Sequence, residues 1–413
     1  MEKSFPNRNL PYWLETPLIK GQQKQLQKNG ILIIGSGLSG TSCAYWLNEL
    51  GYHDVTLVDY IPEEAASFRN CGHILYGAVE SYDALIGLHG EETAKSIQNF
   101  SVEICEQVRK SCEKLQNLNI DTEYKQNGYY VLSISETEQM EIESSANKLN
   151  SIGIKNEVLS KKETENLGFK NCYGARFENG SAKAHPVKFR NGLINLVKEN
   201  PSFRYHSGIK INSITSLSDG VEAHYEINGT QHKCSFDAAV ICANAYSPLF
   251  SDFFSSRKLV EPFKGQIITS KPLKNEFKVK CAHSFDHGYE YGLVTEDNRL
   301  MIGGWRNNTP TGEIGSYDLK LNNSVEMGLA DFVHKHYDIE EKIEWDHSWS
   351  GIMATSKTGF PFIGPTSQPT IYTCSGFTGH GFSWAHGSAK LLADIILGNK
   401  TPDVARHFNP INT

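Results

Sequence analysis

No run of about 18 apolar residues occurs anywhere along the chain, so nothing in it is long enough to span a bilayer as a helix. The opening segment, MEKSFPNRNLPYWLETPLIKGQQKQLQKNG, is too polar for a secretory leader and reads as an ordered or semi-ordered arm. C-x-x-C pairs are missing too. The nine cysteines are scattered and odd in number, which fits reduced thiols in a cytoplasm better than a disulfide framework. Basic tracts are absent and the formal charge is −7, so the chain lacks the field that a phosphate backbone needs and no nucleic-acid partner is expected. Nor is there a Ser/His/Asp constellation at a recognisable spacing, a cluster of metal ligands, an internal repeat or a low-complexity tract.

What remains is a globular composition, 39% hydrophobic against 21% charged, over 413 residues, a length that implies two domains. Residues 91 to 118 carry apolar positions at helical spacing among charges and read as one or two amphipathic helices. GYYVLSI (128 to 134) reads as a strand, and residues 136 to 153 as a helix closing at Gly153. A helix is expected after Pro186, then a β-rich stretch in which GIKINSI, VEAHYEI, HKCSF and AAVICAN are strands. Short strands alternate with turns from about 258 to 305, and the chain closes strand, turn, helix.

The most legible part is residues 30 to 59: an apolar run ILIIG, a glycine turn, a helical SGTSCAYWLNELG and a second apolar run VTLVD, which together make a βαβ unit. GSGLSG, Gly35, Ser36, Gly37, Leu38, Ser39 and Gly40, satisfies G-x-G-x-x-G where that pattern has physical meaning, straight after a strand and opening a helix. Gly35 permits the tight turn, Gly37 lets backbone approach a pyrophosphate and Gly40 lets helix pack on strand. The helix N-terminus then offers N–H groups and partial positive charge to the phosphates. Asp59 ends the second strand where an acid accepts ribose hydroxyls, with Tyr60 beside it, and an acid there argues against NADP. The motif alone does not choose between FAD and NAD.

The C-terminal segment does. WSGIMATSKTGFPFIGP (349 to 365) followed by IYTCSGFTGHGFSWAHGSAKLLADIILG (371 to 398) resembles the closing segment of the FAD-dependent D-amino-acid oxidase (DAO) superfamily. AHPVKFRNGLINL, AAVICANAYSP and LMIGGW follow in that family's order, and SFRNCGH after the second strand is similar to the gamma-glutamylputrescine oxidoreductase-like and glycine oxidase-like branch. The resemblance covers the chain from about residue 30. It implies an α/β (α+β) two-domain flavoprotein, a Rossmann-type FAD-binding domain of glutathione-reductase-like fold interleaved with a mixed β-sheet substrate domain. The expected boundaries are an N-terminal arm at 1–29, FAD-binding segments at 30–85, 155–250 and 345–413, and substrate-binding segments at 86–154 and 251–344.

The implied reaction is oxidation of a C–N bond in a small-molecule amine or amino acid by hydride transfer to FAD, giving an imine that hydrolyses. The electron acceptor is oxygen or an unidentified one, and the location is cytoplasmic. Two other readings stand beside it: a superfamily oxidoreductase acting on a modified tRNA base, and a non-catalytic FAD-binding protein. In the family's pattern Ser67, Arg69, Asn70, Cys71, Gly72 and His73 approach the flavin, as do Ala243 and Gly351, while Ile211 sits against the adenine. Gly376, Thr378, Gly379, His380 and Gly381 face the pyrimidine end of the flavin ring, where backbone N–H groups stabilise charge. His380, Tyr291 and Trp305 are the candidate catalytic residues. His185, Tyr289, Arg306 and Trp384 are the candidate substrate contacts, Arg306 as a carboxylate clamp.

Some family features are missing. Met301 stands where monomeric sarcosine oxidases carry a lysine that assists reaction with oxygen, Ser383 replaces a second lysine, and the cysteine that anchors their flavin is absent near Gly351 and Ile352. Cys71 and His73, two apart, lack the further ligands of a metal site, and a nucleophile with its base would need both side chains facing one another. Covalent attachment of the flavin through His73 or Cys71 stays open beside simple packing.

Overall fold

The computed structural model describes residues 5–412; residues 1–4 of the expected arm and Thr413 lie outside the described residues. Two sheets organise the chain. The first runs in the order Lys210–Leu217, Gly220–Ile227, Thr230–Ile241, Asn29–Ile34, Val55–Asp59, Arg204–Ser207, with Ile371–Ser375 also paired to Thr230–Ile241 and Phe362–Pro365 beyond it. Its centre is parallel, with Ile31 opposite Val55 and Ala238 opposite Ile31. These strands are apolar on both faces because both are covered. Ile31 and Ile33 face a layer of helices, Leu38–Glu49, Glu91–Asn117, Pro186–Lys198 and Gly381–Ile396. Leu32 and Ile34 face the antiparallel meander, against Val221 and Phe236.

HKCSF and AAVICAN, read as separate strands, share one continuous strand, Thr230–Ile241, which ends before Cys242. Its first half pairs with the meander and its second half enters the parallel sheet. The helix expected after Pro186 is present, with Pro186 in its first turn.

The second sheet has nine strands, in the order Asn7–Arg8, Trp345–Ser356, Val260–Ser270, Leu300–Gly303, Glu290–Val294, Ala282–Phe285, Tyr129–Ser133, Gly174–Glu178, Asn156–Ser160. Period-two alternation splits its faces: Ile268 and Ile302 pack under the helix Asn323–His336, while Ile267, Leu293 and Met301 turn the other way. Val260–Ser270 and Trp345–Ser356 are long enough to carry Val260, Ile352 and Ala354 into the core beneath the first sheet.

Sheet membership departs from the expected boundaries in three places. Asn156–Ser160 and Gly174–Glu178, expected in the FAD-binding part, pair in the nine-stranded sheet, as does Trp345–Ser356. Glu91–Asn117, expected with the substrate part, packs with the helices of the first sheet: Ile104 fills the space over Gly387, where an added Cβ would lie 2.3 Å away, and Leu115 does the same over Gly192 at 2.7 Å. An amphipathic stripe fixes that a face is buried, not against what.

From Phe5 onward the N-terminal arm runs along both sheets. Phe5 enters the core of the nine-stranded sheet, Asn7–Arg8 pairs with His347 and Ser348, and Leu26 packs beneath the first sheet.

Candidate active site

The glycine turn is built as the sequence implies. Gly35 sits at φ +104°, and a Cβ there would come within 2.7 Å of the Cys242 carbonyl oxygen; at Gly40 it would meet the Gly35 oxygen at 1.8 Å. Asp59 Oδ2 accepts from the Ser36 N–H at 2.6 Å and the Ser36 hydroxyl at 2.9 Å. Burial pushes the Asp59 carboxyl up, opposed by those two bonds and by the charge of Arg190. Arg190, wholly buried and not anticipated from sequence, donates to the Ser36 carbonyl, the Tyr205 hydroxyl and the Ile19 carbonyl. Ser67 Oγ accepts the Leu38 N–H at 2.8 Å, so one amide of the helix start is held within the protein.

A single cavity of about 1460 Å³ opens from this turn. Gly35, Gly37, Leu38, Ser39, Asp59 and Tyr60 line it, as do Ile211 and Ala243. Ser67, Arg69, Asn70, Cys71 and His73 line it too, with Gly351. The loop Thr378, Gly379, His380 and Gly381 and the side chains of Tyr289, Tyr291 and Arg306 also line it.

The turn from Ser67 to His73 is held from behind. Trp13 Nε1 donates to the Asn70 carbonyl at 2.7 Å, Trp349 Nε1 to the Arg69 carbonyl at 3.1 Å, and Arg69 Nη1 to the Ser350 carbonyl at 2.7 Å. Asn70 closes the turn by accepting the Gly72 N–H at 2.7 Å. His73 Nε2 donates to the Gly292 carbonyl at 2.9 Å, which leaves Nδ1 as the unprotonated nitrogen. Burial, with the nearby His283, brings His73 down to about 3, so it is neutral. Burial pushes the Cys71 thiol up, away from a reactive thiolate. Among the described residues no group of three or more His, Cys, Asp or Glu is placed to hold a metal, and no helix is long and apolar enough to cross a membrane.

The glycine turn with no room for side chains, the acid at the end of the second strand and the long cavity fit a dinucleotide. Comparison with known proteins says which family this is: the model for DAO, FAD dependent oxidoreductase, matches residues 30–395. The chain belongs to the DAO family of FAD-dependent oxidoreductases. It is 24% identical over 388 residues to a probable oxidoreductase, OrdL, of Haemophilus influenzae, covering 91% of this chain and 84% of that protein. It is 22% identical over 386 residues to gamma-glutamylputrescine oxidoreductase of Escherichia coli, covering 89% and 84%. Among solved structures it is similar to glycine oxidase from Geobacillus kaustophilus, with a TM-score of 0.77 at 18% identity over 94% of this chain and 100% of that one.

Several residues expected in the site of this DAO-family oxidoreductase lie off the cavity wall. His185 caps the helix Pro186–Lys198, its Nδ1 accepting the Lys188 N–H and its Nε2 lying 3.1 Å from Thr16 Oγ1, with Trp13 edge-on at 4.8 Å. Trp305 packs on Phe332 and over Gly328. Trp384 donates to the Gly77 carbonyl at 2.9 Å and packs with Phe100 and Phe408, because one step along the helix from Ser383 rotates it into the core. Ser36 and Gly40 support the turn from inside. Gly72 (φ +77°) backs onto Trp13 and Ala184, and Gly376 (φ +82°) gives its N–H to Asn244 Oδ1 at 2.9 Å.

The wall also has members that the sequence did not announce. Tyr129, Val131, Arg176, Glu178 and Ser284 line the cavity on the nine-stranded sheet, together with Glu138 from the helix Glu136–Ser151. The available signal was the alternation in GARFE, which puts Arg176 and Glu178 on one face of a strand.

Proposed function

We propose that this FAD-dependent oxidoreductase oxidises the C–N bond of a small-molecule amine or amino acid. The observation that carries the reading is the single cavity joining the glycine turn to a chamber walled by Tyr291, Tyr289, Arg306 and neutral His73. The names of its relatives support it: a gamma-glutamylputrescine oxidoreductase in sequence and a glycine oxidase in fold. Bound FAD supplies the hydride acceptor. Gly35, Gly37 and Asp59 hold the nucleotide half, and the turns at Ser67–His73 and Thr378–Gly381 hold the flavin half.

The side chains orient the substrate and keep it dry. Tyr291 and Tyr289 offer aromatic faces to an amine. Arg306, stacked over Phe263 at 4.6 Å and Tyr289 at 5.6 Å, offers a guanidinium to a carboxylate near the mouth. Neutral Nδ1 of His73 accepts an amine N–H, which favours the unprotonated amine from which a hydride leaves. The imine product hydrolyses to a carbonyl compound and an amine or ammonia.

Buried Met301 leaves no cation from that strand facing the cavity, and buried Lys264 is committed to Glu313 at 2.9 Å, so the acceptor is oxygen or another oxidant reached without a lysine from these strands. Nine free cysteines support a cytoplasmic location. The proposed FAD-binding unit is the first sheet with its helices, and the substrate unit the nine-stranded sheet. The test is an anaerobic panel of amines and amino acids followed at the flavin absorbance band. Bleaching by a member of the panel supports the reading, and a protein that holds FAD yet is bleached by none overturns it.

A further inference from the structure

The cavity runs beyond the chamber at Tyr291. Four wall residues form one row across adjacent strands of the nine-stranded sheet: Tyr291 pairs with Ser284, Ser284 with Val131, and Val131 with Arg176. Paired residues point to the same face, and all four line the cavity. Strands lie about 4.8 Å apart, so three steps put Arg176 roughly 14 Å along the wall from Tyr291. The alternate face carries Tyr130 and Phe177, ring to ring at 4.6 Å, which confirms which way the row faces.

Arg176 is under-used by the protein. Its guanidinium has five N–H donors. Within the described residues it makes one side-chain hydrogen bond, from Nη1 to Asn156 Oδ1 at 2.6 Å, and no carboxylate lies within ion-pair distance. Asn156 is fixed for that task, its Nδ2 donating to the Ile154 carbonyl and its backbone N–H to Asn150 Oδ1. Glu178, two residues along on the same face, is tied back by the backbone N–H groups of Gly180 and Ser181 and by the Ser181 hydroxyl. The contrast with Arg190 is instructive: that buried guanidinium spends all three of its nitrogens on protein oxygens. Burial disfavours the charge on Arg176, and Tyr129 and Glu178 offset this only in part, so a carboxylate brought by a ligand would compensate it further.

We propose that Arg176 is the distal anchor for an elongated substrate: an amine oxidised beside Tyr291 whose far end carries a carboxylate that the guanidinium binds. This rests on the amine-oxidation reading and adds the substrate's length and its second charge. A single small amino acid does not bridge Tyr291 and Arg176, whereas a straight chain of several carbons with amine and carboxylate at opposite ends does. Arg306 stacks on Phe263 and Tyr289, at the Tyr291 end of the row.

The test compares holoenzyme kinetics on straight-chain ω-amino acids of increasing length with n-alkylamines of the same carbon number. The expected result is an advantage of roughly 10- to 100-fold in kcat/KM for the carboxylate-bearing member once the chain is long enough, the size of a charge-assisted hydrogen-bonded pair. Arg176→Met collapses that ratio towards one, with the loss in KM, and Arg176→Lys restores part of it. The wild-type ratio needs no variant, so a misfolded substitution leaves the comparison intact. A wild-type ratio near one at every length, or a ratio that survives in Arg176→Met, overturns the anchor.

A second arm is independent of turnover. Suberate, a straight-chain dicarboxylate, is titrated into the holoenzyme while the flavin spectrum and Tm are followed. Binding that weakens at least tenfold in Arg176→Met supports the anchor, and binding of equal strength in both proteins contradicts it. Should no amine bleach the flavin, the amine reading fails while this arm still reports on Arg176. Should amines bleach it without regard to a carboxylate, the anchor alone fails.

Discussion

Gly40 has no space for a methyl group, because its Cβ would stand 1.8 Å from the backbone oxygen of Gly35. Backbone cannot give way as a side-chain tip can, so Gly40→Ala is expected to push the helix Leu38–Glu49 off its strand and release FAD. Flavin content after purification checks this, with a wild-type ratio of flavin to protein as the contrary result. Glu290 makes a different prediction. It is buried on the strand after Tyr289, its Oε1 has no partner, and burial with the nearby Asp286 raises it to about 8 from an ordinary 4.5. Folded Glu290 therefore keeps its proton over a range in which the unfolded chain has released it, and stability contributed by this group falls as pH rises from about 4.5 to 8. Glu290→Gln is expected to gain in Tm over the parent as pH goes from 5 to 8. A Tm difference that does not change with pH would remove Glu290 as the cause.

At the scale of elements, the feature that decides the site is the turn Ser67–His73, which has little internal structure and is held by groups far away in sequence. Trp13 and Trp349 donate to consecutive carbonyls of the turn, and Asn70 closes it. Trp13→Phe removes one buried hydrogen bond and leaves the Asn70 carbonyl without that donor, a cost of about 1–3 kcal/mol. Both a lower Tm and weaker FAD retention are expected, since the arm braces the turn proposed to face the flavin; lower Tm with unchanged FAD affinity would make the arm purely structural. The second turn depends on left-handed backbone at Gly376, Thr378 and Gly379. Gly379 has no neighbour within 4 Å of an added Cβ, so Gly379→Ala tests conformation alone. It is expected to cost about 1–2 kcal/mol and to shift the flavin absorption band. An unshifted spectrum would place this turn away from the ring.

On the scale of the whole molecule, the cavity lies between the two sheets, and its walls come from segments as far apart as Gly35 and Gly381. On the proposed reading FAD fills it and ties both halves together, so binding is linked to global stability. With free FAD at about 100 times its Kd, the folded state gains about 2.7 kcal/mol, and apoprotein is expected to melt several degrees lower, recovering on reconstitution. Melting curves of both halves that ignore FAD would contradict a site shared between the sheets.

Local patterns made much of this legible in advance. The apolar runs on either side of GSGLSG dictate buried parallel strands, the glycines dictate a turn without side chains, and Asp59 falls at the strand end by its spacing alone. The C-terminal glycines likewise mark a turn before a helix. The sequence by itself thus determined the βαβ unit with its glycine turn and terminal acid, a short stretch of chain that folds on itself. Only the tertiary structure decided the rest. Trp384 and Ser383 are adjacent in sequence, yet helical rotation sends one to the core and the other to the cavity. The face of Glu91–Asn117 was legible, but its partner was chosen by the room above Gly192 and Gly387. The row Tyr291, Ser284, Val131, Arg176 exists because four strands drawn from more than 160 residues of chain lie side by side in one register. Register is a property of the sheet rather than of any strand, and this wall of the cavity is made of it.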